Sequence, residues 1–193
     1  MDSTESALFL ASMEDVVPLK GERRVPTNVD RKEEVRRYQA AKRLQAIGLL
    51  NHDVSCITPV DSQAELSFRK PGIQGQVFKL FRQGKYPVDA QLSLKGVGLP
   101  LAKERLYDFI ENAKGMGFRN VSVVHGTGVN NRPFPALVKS SVAQWLKSLD
   151  GVIAYHSAPQ FLGGVGVTLV MLVKSDEARL VSRETNHKGV KIR

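Results

Sequence analysis

Two helical patterns of apolar residues, separated by strand-like segments, constrain the fold of this chain more than any other feature. In each pattern apolar side chains recur at i, i+4, i+7, i+8 and i+11, which places them on one face of an α-helix. The residues are Ala102, Leu106, Phe109, Ile110 and Ala113 in the first pattern, and Val138, Val142, Trp145, Leu146 and Leu149 in the second. We therefore predict two amphipathic helices, and the apolar stripe assigns Trp145 to the core.

Four strand-like segments flank these helices: "AQLSL" at 90–94, "VSVV" at 121–124, "GVIAYHSA" at 151–158 and "GVTLVMLV" at 166–173. The element order is β-α-β-α-β-β. Short strand-helix-strand connections form right-handed parallel crossovers, so we expect the first three strands to be parallel and the last to be antiparallel. The sequence predicts a two-layer α/β sandwich with a four-stranded mixed sheet. Side chains alternate along a strand, so only one of Tyr155 and His156 is expected to face the core.

The residues ahead of this pattern are interpreted as an N-terminal helical extension. Helix formers dominate from Arg31 to Ile47 with only a thin apolar stripe, which predicts a basic, mostly solvated arm. Residues 51–68 have weak periodicity and are expected to form a loop with at most a short strand. "GIQGQVFKLFRQG" predicts a further helix that ends at Gly84. We expect an extension over residues 1–68, a domain over 69–175 and a basic tail over 176–193.

Charge narrows the range of partners. The chain has 28 lysines and arginines against 19 acidic residues, a net charge of +9, which favours a nucleic acid as the partner. The densest positive segment runs from residue 69 to 85 and contains no carboxylate. Its cations that we expect to contact phosphate are Arg69, Lys79, Arg82 and Lys85.

Cysteine content and hydropathy bear on the compartment. The single cysteine, Cys56, excludes an internal disulfide and a multi-cysteine zinc site, as is typical of cytosolic proteins. The longest apolar run is far shorter than the roughly 20 residues of a membrane span, and the acidic N-terminal residues do not resemble the basic start of a signal peptide. We predict a cytoplasmic protein that does not bind membranes, and a monomer is favoured.

The stretch "VSVVHGTGVNNRPF", residues 121–134, leads a strand directly into a glycine-rich turn. Ligands in open α/β sheets bind beyond the carboxyl ends of the parallel strands. Those ends are Lys95, the turn that starts at His125, and His156, and a second glycine loop at 163–164 precedes the antiparallel strand on the same edge. We therefore expect four segments to converge on one rim.

The glycines of this rim leave backbone N–H groups free to face an anion. Phosphate binding is one interpretation of these loops, and a tight turn without a ligand is the other. The residues assigned to phosphate on the first interpretation are Gly126, Thr127, Gly128, Gly163 and Gly164.

These motifs resemble the Smr (small MutS-related) domain over residues 69–173. The resemblance rests on "HGTG" at 125–128 and "GGVG" at 163–166, with the expected helix between them. The upstream segment "GIQGQVFKLFRQGKYP" is similar to the one that precedes the domain in stand-alone members, and "LFLASMEDVVPL" is similar to the N-terminal signature of the SmrA type. The resemblance implies a DNA endonuclease, because the SmrA group is associated with DNA binding and nicking.

One motif departs from the family pattern. "LSLKG" stands where the family has LDLHG, so Ser93 replaces an aspartate and Lys95 a histidine. Lysine stabilises phosphate as a point cation but is a poor base at neutral pH. His125, of a residue type with a reference pKa near 6.5, is therefore assigned proton transfer or phosphate orientation. Lys95 is assigned charge stabilisation, and Arg132 is either a phosphate ligand or a solvated arginine.

Three functions remain open from the sequence. DNA cleavage needs an activated water, commonly supplied by metal ions on carboxylates; the rim carries none, so we assign no metal ligand and keep Mg²⁺ only as an optional cofactor. RNA cleavage requires fewer catalytic groups from the protein, because the 2′-hydroxyl is an internal nucleophile. In addition, related Smr proteins with the full LDLHG motif act on mRNA at ribosomes. The alternatives to a DNA endonuclease are an RNA endonuclease acting on mRNA or ribosome-associated RNA, and a nucleic-acid-binding module without catalysis.

Overall fold

A computed structural model of the chain describes residues 28–174. The predicted tail at 176–193 and the first 27 residues of the extension lie outside the described residues. The helices are α1 (Asn28–Leu49), α2 (Gly75–Arg82), α3 (Leu99–Gly115) and α4 (Leu137–Ser148). The strands are β1 (Ser67–Arg69), β2 (Ala90–Ser93), β3 (Asn120–Val124), β4 (Val152–Ser157) and β5 (Val167–Leu172), and short 3₁₀ turns lie at Val54–Cys56, Gln160–Leu162 and Gly164–Gly166.

The strands form one mixed sheet in the order β1-β4-β5-β3-β2. β2 and β3 are parallel, and β5 is antiparallel to both β3 and β4. The predicted directions are therefore confirmed, because β2, β3 and β4 all run the same way. The predicted number of strands was one too low: β1 pairs antiparallel with β4 at the edge of the sheet. A three-residue strand is too short to leave a periodic signal.

Helices α3 and α4 cover one face of the sheet, as the apolar spacing predicts. Their stripes pack on inward residues of the strands, among them Val121, Val123 and Val170. Trp145 is buried in this layer, and its indole Nε1 donates a hydrogen bond to the carbonyl of Asn51 at 2.6 Å. The assignment of Trp145 to the core is confirmed.

Helix α2 packs on part of the opposite face and adds cover that the two-layer prediction did not include. Phe81 is buried there against Ala154, Leu169 and Met171, with Phe78 beside them. Both faces of β4 are therefore covered.

The expected alternation of Tyr155 and His156 holds, and the double cover adds that both side chains are buried. Tyr155 faces α4, where its hydroxyl donates to the Ala143 carbonyl at 3.0 Å. His156 faces the other way, and its ring lies 6.1 Å from that of Phe78. Both side chains are buried because each face of the strand has its own helix.

The chain divides into two units between residues 41 and 42. Residues 31–42 of α1 are exposed, as the thin apolar stripe predicts. The second unit begins at Lys42, ahead of the boundary expected at residue 69, because Leu50 and Leu66 are buried in the layer formed by α3 and α4. Among the described residues, none of the helices is both long and apolar enough to cross a membrane.

Candidate phosphate-binding cleft

Three loops meet at the carboxyl ends of β2 and β3 and enclose a cleft of about 730 Å³, which we call the glycine cleft. It is lined by Gln63, Lys95, Val124, residues 126–131, Gln160 and residues 163–167. Of the four predicted segments, the one that ends at His156 does not line this cleft, whereas six of the sequence-assigned residues do. These are Lys95, Gly126, Thr127, Gly128, Gly163 and Gly164.

The two glycine loops are joined through one carbonyl group. The Gly166 oxygen accepts hydrogen bonds from the N–H of His125 at 3.1 Å and from that of Gly126 at 2.9 Å. A Cβ atom on Gly166 would lie only 3.4 Å from the Gly126 backbone. This close approach fixes the spacing between the two walls of the cleft.

Gly128 is required by both backbone conformation and space. Its φ is +64°, and a Cβ atom there would lie 2.5 Å from Asn131 Oδ1 and 3.0 Å from Ala136 Cα. Its carbonyl accepts from the N–H groups of Asn131 and Ala136, which closes the loop that leads into α4. Within residues 28–174, the N–H groups of Thr127 and Gly128 have no hydrogen-bond acceptor. Two backbone donors in the wall of the cleft are therefore available to an anion.

Lys95 supplies the positive charge of the glycine cleft. Its side chain is exposed and runs beside Gly126, with Cγ 3.9 Å and Cε 4.0 Å from the place a Cβ of Gly126 would occupy. No Asp or Glu is among the described residues that line the cleft. A lysine, free amides and no opposing carboxylate favour an anionic ligand.

The structure buries His125 beneath the turn, with 5% of its surface exposed, and it is not among the described residues lining the cleft. Nδ1 lies 2.7 Å from the Gly126 carbonyl, and Nε2 lies 2.8 Å from Thr168 Oγ1. Because a carbonyl only accepts, Nδ1 donates, and Nε2 accepts from the threonine hydroxyl. Both ring nitrogens of His125 are used in hydrogen bonds that hold the turn. The geometry therefore fits the second of its two assigned roles, phosphate orientation.

Burial lowers the pKa of His125 to about 4. The hydrogen bond to Gly126 opposes this shift, and the positive charge of Lys139 adds to it. The imidazole is therefore neutral at pH 7.

Lys139, which sequence reasoning missed, is a buried lysine on α4. Its Nζ donates to the carbonyl oxygens of Asp61 at 3.2 Å, Ser62 at 2.9 Å and Ala64 at 2.6 Å. Burial lowers its pKa. The ammonium group thus fixes the segment that carries Gln63 to the cleft. A lone lysine beside an apolar stripe leaves no signal of this role in the sequence.

The predicted cations of residues 69–85 do not lie at the glycine cleft. Lys79, Arg82 and Lys85 are exposed and line a second depression of about 940 Å³, which we call the basic groove. Its other lining residues are Glu65, Gly75, Phe78, Gln83, His156, Ser157, Ala158, Pro159 and Phe161.

Two predicted phosphate ligands line neither depression. The Arg69 guanidinium lies 5.5 Å from the centre of the Phe78 ring and donates to the Ile73 carbonyl, so it is held within its own loop. Arg132 is exposed beyond the end of the glycine turn. Neither guanidinium is therefore part of the wall of the glycine cleft or of the basic groove.

The donors around the glycine cleft do not fit a protein-held Mg²⁺ ion. Its side-chain oxygens belong to Thr127, Asn130, Asn131, Gln63 and Gln160, all of them neutral. Magnesium is usually bound through one or two carboxylates together with substrate phosphates. In the described part of the chain, no group of three or more His, Cys, Asp or Glu side chains could hold a metal ion.

Three comparisons place these features beside known proteins. The family model "Smr domain" matches residues 92–173. The chain is 34% identical over 188 residues to "Probable DNA endonuclease SmrA" of Escherichia coli K12, covering 97% of this chain and 98% of that protein. It is 33% identical over 94 residues to "Ribosome rescue factor SmrB" of Tolumonas auensis, covering 49% of this chain and 51% of that protein.

A solved structure is similar as well. The crystal structure of YdaL, a stand-alone small MutS-related protein from Escherichia coli, matches with a TM-score of 0.58 and 35% identity. The match covers 68% of this chain and 99% of that one.

Proposed function

Because this chain belongs to the Smr domain family, we propose that it is a nucleic-acid-binding protein that nicks DNA, with a backbone phosphate bound in the glycine cleft. The observation that carries the proposal is the wall of the cleft itself. Thr127 and Gly128 offer N–H groups without an acceptor among the described residues, and Lys95 lies beside them with no lining carboxylate.

Such a wall suits the charge that develops during phosphodiester cleavage. The oxygens around phosphorus gain negative charge as the nucleophile attacks, and prepositioned N–H and ammonium donors stabilise them. Loss of one such donor costs on the order of 10²–10³ in rate in other enzymes. In this proposal His125 transfers no proton: it holds the carbonyl of Gly126 and so keeps the neighbouring N–H groups in place.

DNA is the favoured substrate because the relative named a probable DNA endonuclease matches this chain over nearly its whole length. RNA is the second candidate. The cleft has charge-stabilising donors but no lining carboxylate, and RNA brings its own nucleophile in the 2′-hydroxyl. The ribosome rescue factor relative is matched over about half its length.

The test uses supercoiled plasmid and structured RNA, each with Mg²⁺ or with a chelator. We compare the full chain with Lys95→Gln and with Lys32→Gln, a control that removes an exposed lysine from α1. We expect plasmid nicking that falls at least tenfold in Lys95→Gln, a modest loss for a charged donor, and is unchanged in Lys32→Gln.

The other possible results of this experiment would support a different function or reject the site. Cleavage of RNA alone without Mg²⁺ would make the protein an RNA endonuclease. Salt-sensitive binding to both polymers without any product would make it a binding module. Nicking that is equal in Lys95→Gln and the unmodified chain would reject the glycine cleft as the site.

Two further properties belong to the proposal. We propose a cytoplasmic protein, supported by the single cysteine, Cys56, which leaves no internal disulfide. A monomer stays the favoured assembly, to be checked by sedimentation of the full chain.

A further inference from the structure

We propose that the basic groove binds an unpaired nucleic-acid strand and that Phe161 stacks on one of its bases beside the glycine cleft. This inference rests on the proposed function and names its substrate class: a single-stranded segment, whether of DNA or of RNA.

The charge of the basic groove matches a phosphate backbone. Lys79 and Arg82 lie three residues apart on α2 and so project from one side of the helix, and Lys85 follows in the next loop. All three are exposed, and Glu65 is the one carboxylate among the described lining residues. Positive grooves that track the backbone are the common element of single-strand binding.

Phe161 is an aromatic side chain left open at the edge of this groove, with 74% of its surface exposed. It stands on the turn Gln160–Leu162, and the residue before it, Gln160, lines the glycine cleft. One turn therefore borders both depressions. An exposed ring among cations is the second element of single-strand binding, because every base has a face on which an aromatic ring can stack.

The ring of Phe161 approaches the chain at a glycine. Gly84 has a φ of +67°, and a Cβ atom there would lie 3.1 Å from Phe161 Cζ and 2.9 Å from Leu162 Cδ1. The absent side chain lets the tip of the ring approach the backbone that follows α2. The tip of the ring thus lies against this backbone while most of its surface stays exposed.

His156 gives an independent indication of a ligand at the base of the groove. It is only 6% exposed, and its Nδ1 lies 2.7 Å from the Ser157 carbonyl, to which it donates. Nε2 has no hydrogen-bond partner among the described residues, and the residue lines the groove. Because Nδ1 is the donor, Nε2 is left as an acceptor, suited to a base amino group or a sugar hydroxyl of a strand in the groove.

Stacking on Phe161 requires a base whose face is free. In a duplex both faces of each base are covered by the neighbouring base pairs, whereas bases of single strands can be splayed onto aromatic side chains. The groove therefore favours unpaired strands over a duplex.

The test measures fluorescence anisotropy with three labelled probes of about 12 nucleotides, within the site size of single-strand binders. They are single-stranded DNA, RNA of the same sequence, and the DNA duplex. The proteins are the full chain, Phe161→Ala, Phe161→Trp and Met116→Ala; Met116 is a matched control, an apolar residue that is 69% exposed at the end of α3.

We expect Phe161→Ala to weaken single-strand binding about tenfold, the scale of one lost stacking contact, and to leave duplex binding unchanged. Phe161→Trp should retain single-strand binding, and Met116→Ala should match the unmodified chain. The comparison of single-stranded DNA with RNA of the same sequence shows which of the two nucleic acids the groove prefers.

Two outcomes would overturn the inference: equal binding of duplex and single strands by the unmodified chain, or no change in Phe161→Ala. Its failure is distinguishable from failure of the proposed function. Plasmid nicking without any effect of Phe161 would reject the stacking site alone, whereas Phe161-dependent binding without cleavage would reject the endonuclease alone.

Discussion

Acidification from pH 7 to pH 4 is expected to destabilise the fold through His125. Burial holds the pKa of this imidazole at about 4 in the folded protein, whereas it is 6.5 for an unperturbed histidine. Between these two values the unfolded chain binds a proton that the folded chain excludes, so the free energy of unfolding falls as the pH falls. At about 1.4 kcal/mol per pKa unit, the loss from His125 amounts to about 3 kcal/mol by pH 4. Above pH 6.5 the contribution is constant.

Urea unfolding at pH 7, 5.5 and 4 checks this prediction. We expect His125→Gln to be less stable than the unmodified chain at pH 7, because it loses the paired hydrogen bonds to Gly126 and Thr168. The difference should shrink towards pH 4, since the variant has no imidazole to protonate at this position. Met116→Ala, at an exposed residue at the end of α3, serves as the control and should follow the unmodified chain at all three pH values.

Nuclear magnetic resonance tests the same reasoning directly. The His125 ring should titrate near pH 4 and should carry its neutral-state proton on Nδ1. Titration near 6.5, a proton on Nε2, or an equal loss of stability on acidification in His125→Gln would refute the argument.

Three further perturbations have defined outcomes. Lys139→Met removes the donor from three carbonyl oxygens and should lower the free energy of unfolding by about 2–4 kcal/mol in urea titrations; an unchanged midpoint would contradict that role. Trp145→Phe leaves the Asn51 carbonyl without its donor and should cost about 1–3 kcal/mol, seen as a lower Tm; an unchanged Tm would contradict a stabilising role for this hydrogen bond. Gly128→Ala and Gly96→Ala both place a Cβ at positive φ, but only the Cβ at residue 128 lies within 4 Å of other atoms. Only Gly128→Ala should therefore lose oligonucleotide affinity as well as stability. Equal losses of affinity in the two variants would contradict the role of the tight turn at Gly128 in binding.

Much of the fold could be predicted because the spacing of apolar residues indicates which side of a helix or strand packs against the core. The stripe of α3 and the strand that follows it give clear 3.6- and 2-residue patterns, and short connections determine strand direction. β1 was not predicted as a separate strand because three residues show no period. The cover of the second face of β4, over His156, comes from α2, which is far away in sequence.

The candidate site was predictable at the level of the backbone but not of the side chains. Topology alone brings Lys95 and the two glycine loops to one edge, since the carboxyl ends of parallel strands meet there. The direction of the His125 ring depends on Thr168, 43 residues further along the chain. Likewise, Lys79 and Arg82 could be assigned to phosphate from their charge, but their separation from the glycine turn follows from the packing of α2.

The central position of β5 has a consequence for synthesis of the chain. β3 and β4 both pair with β5 and are not neighbours of each other, so neither has its main partner until residues 167–172 have left the ribosome. The Gly166 carbonyl that joins the two loops arrives at the same moment. A nascent chain that stops short of this strand therefore has an unfinished sheet and an unformed cleft, and both are completed in a single late step.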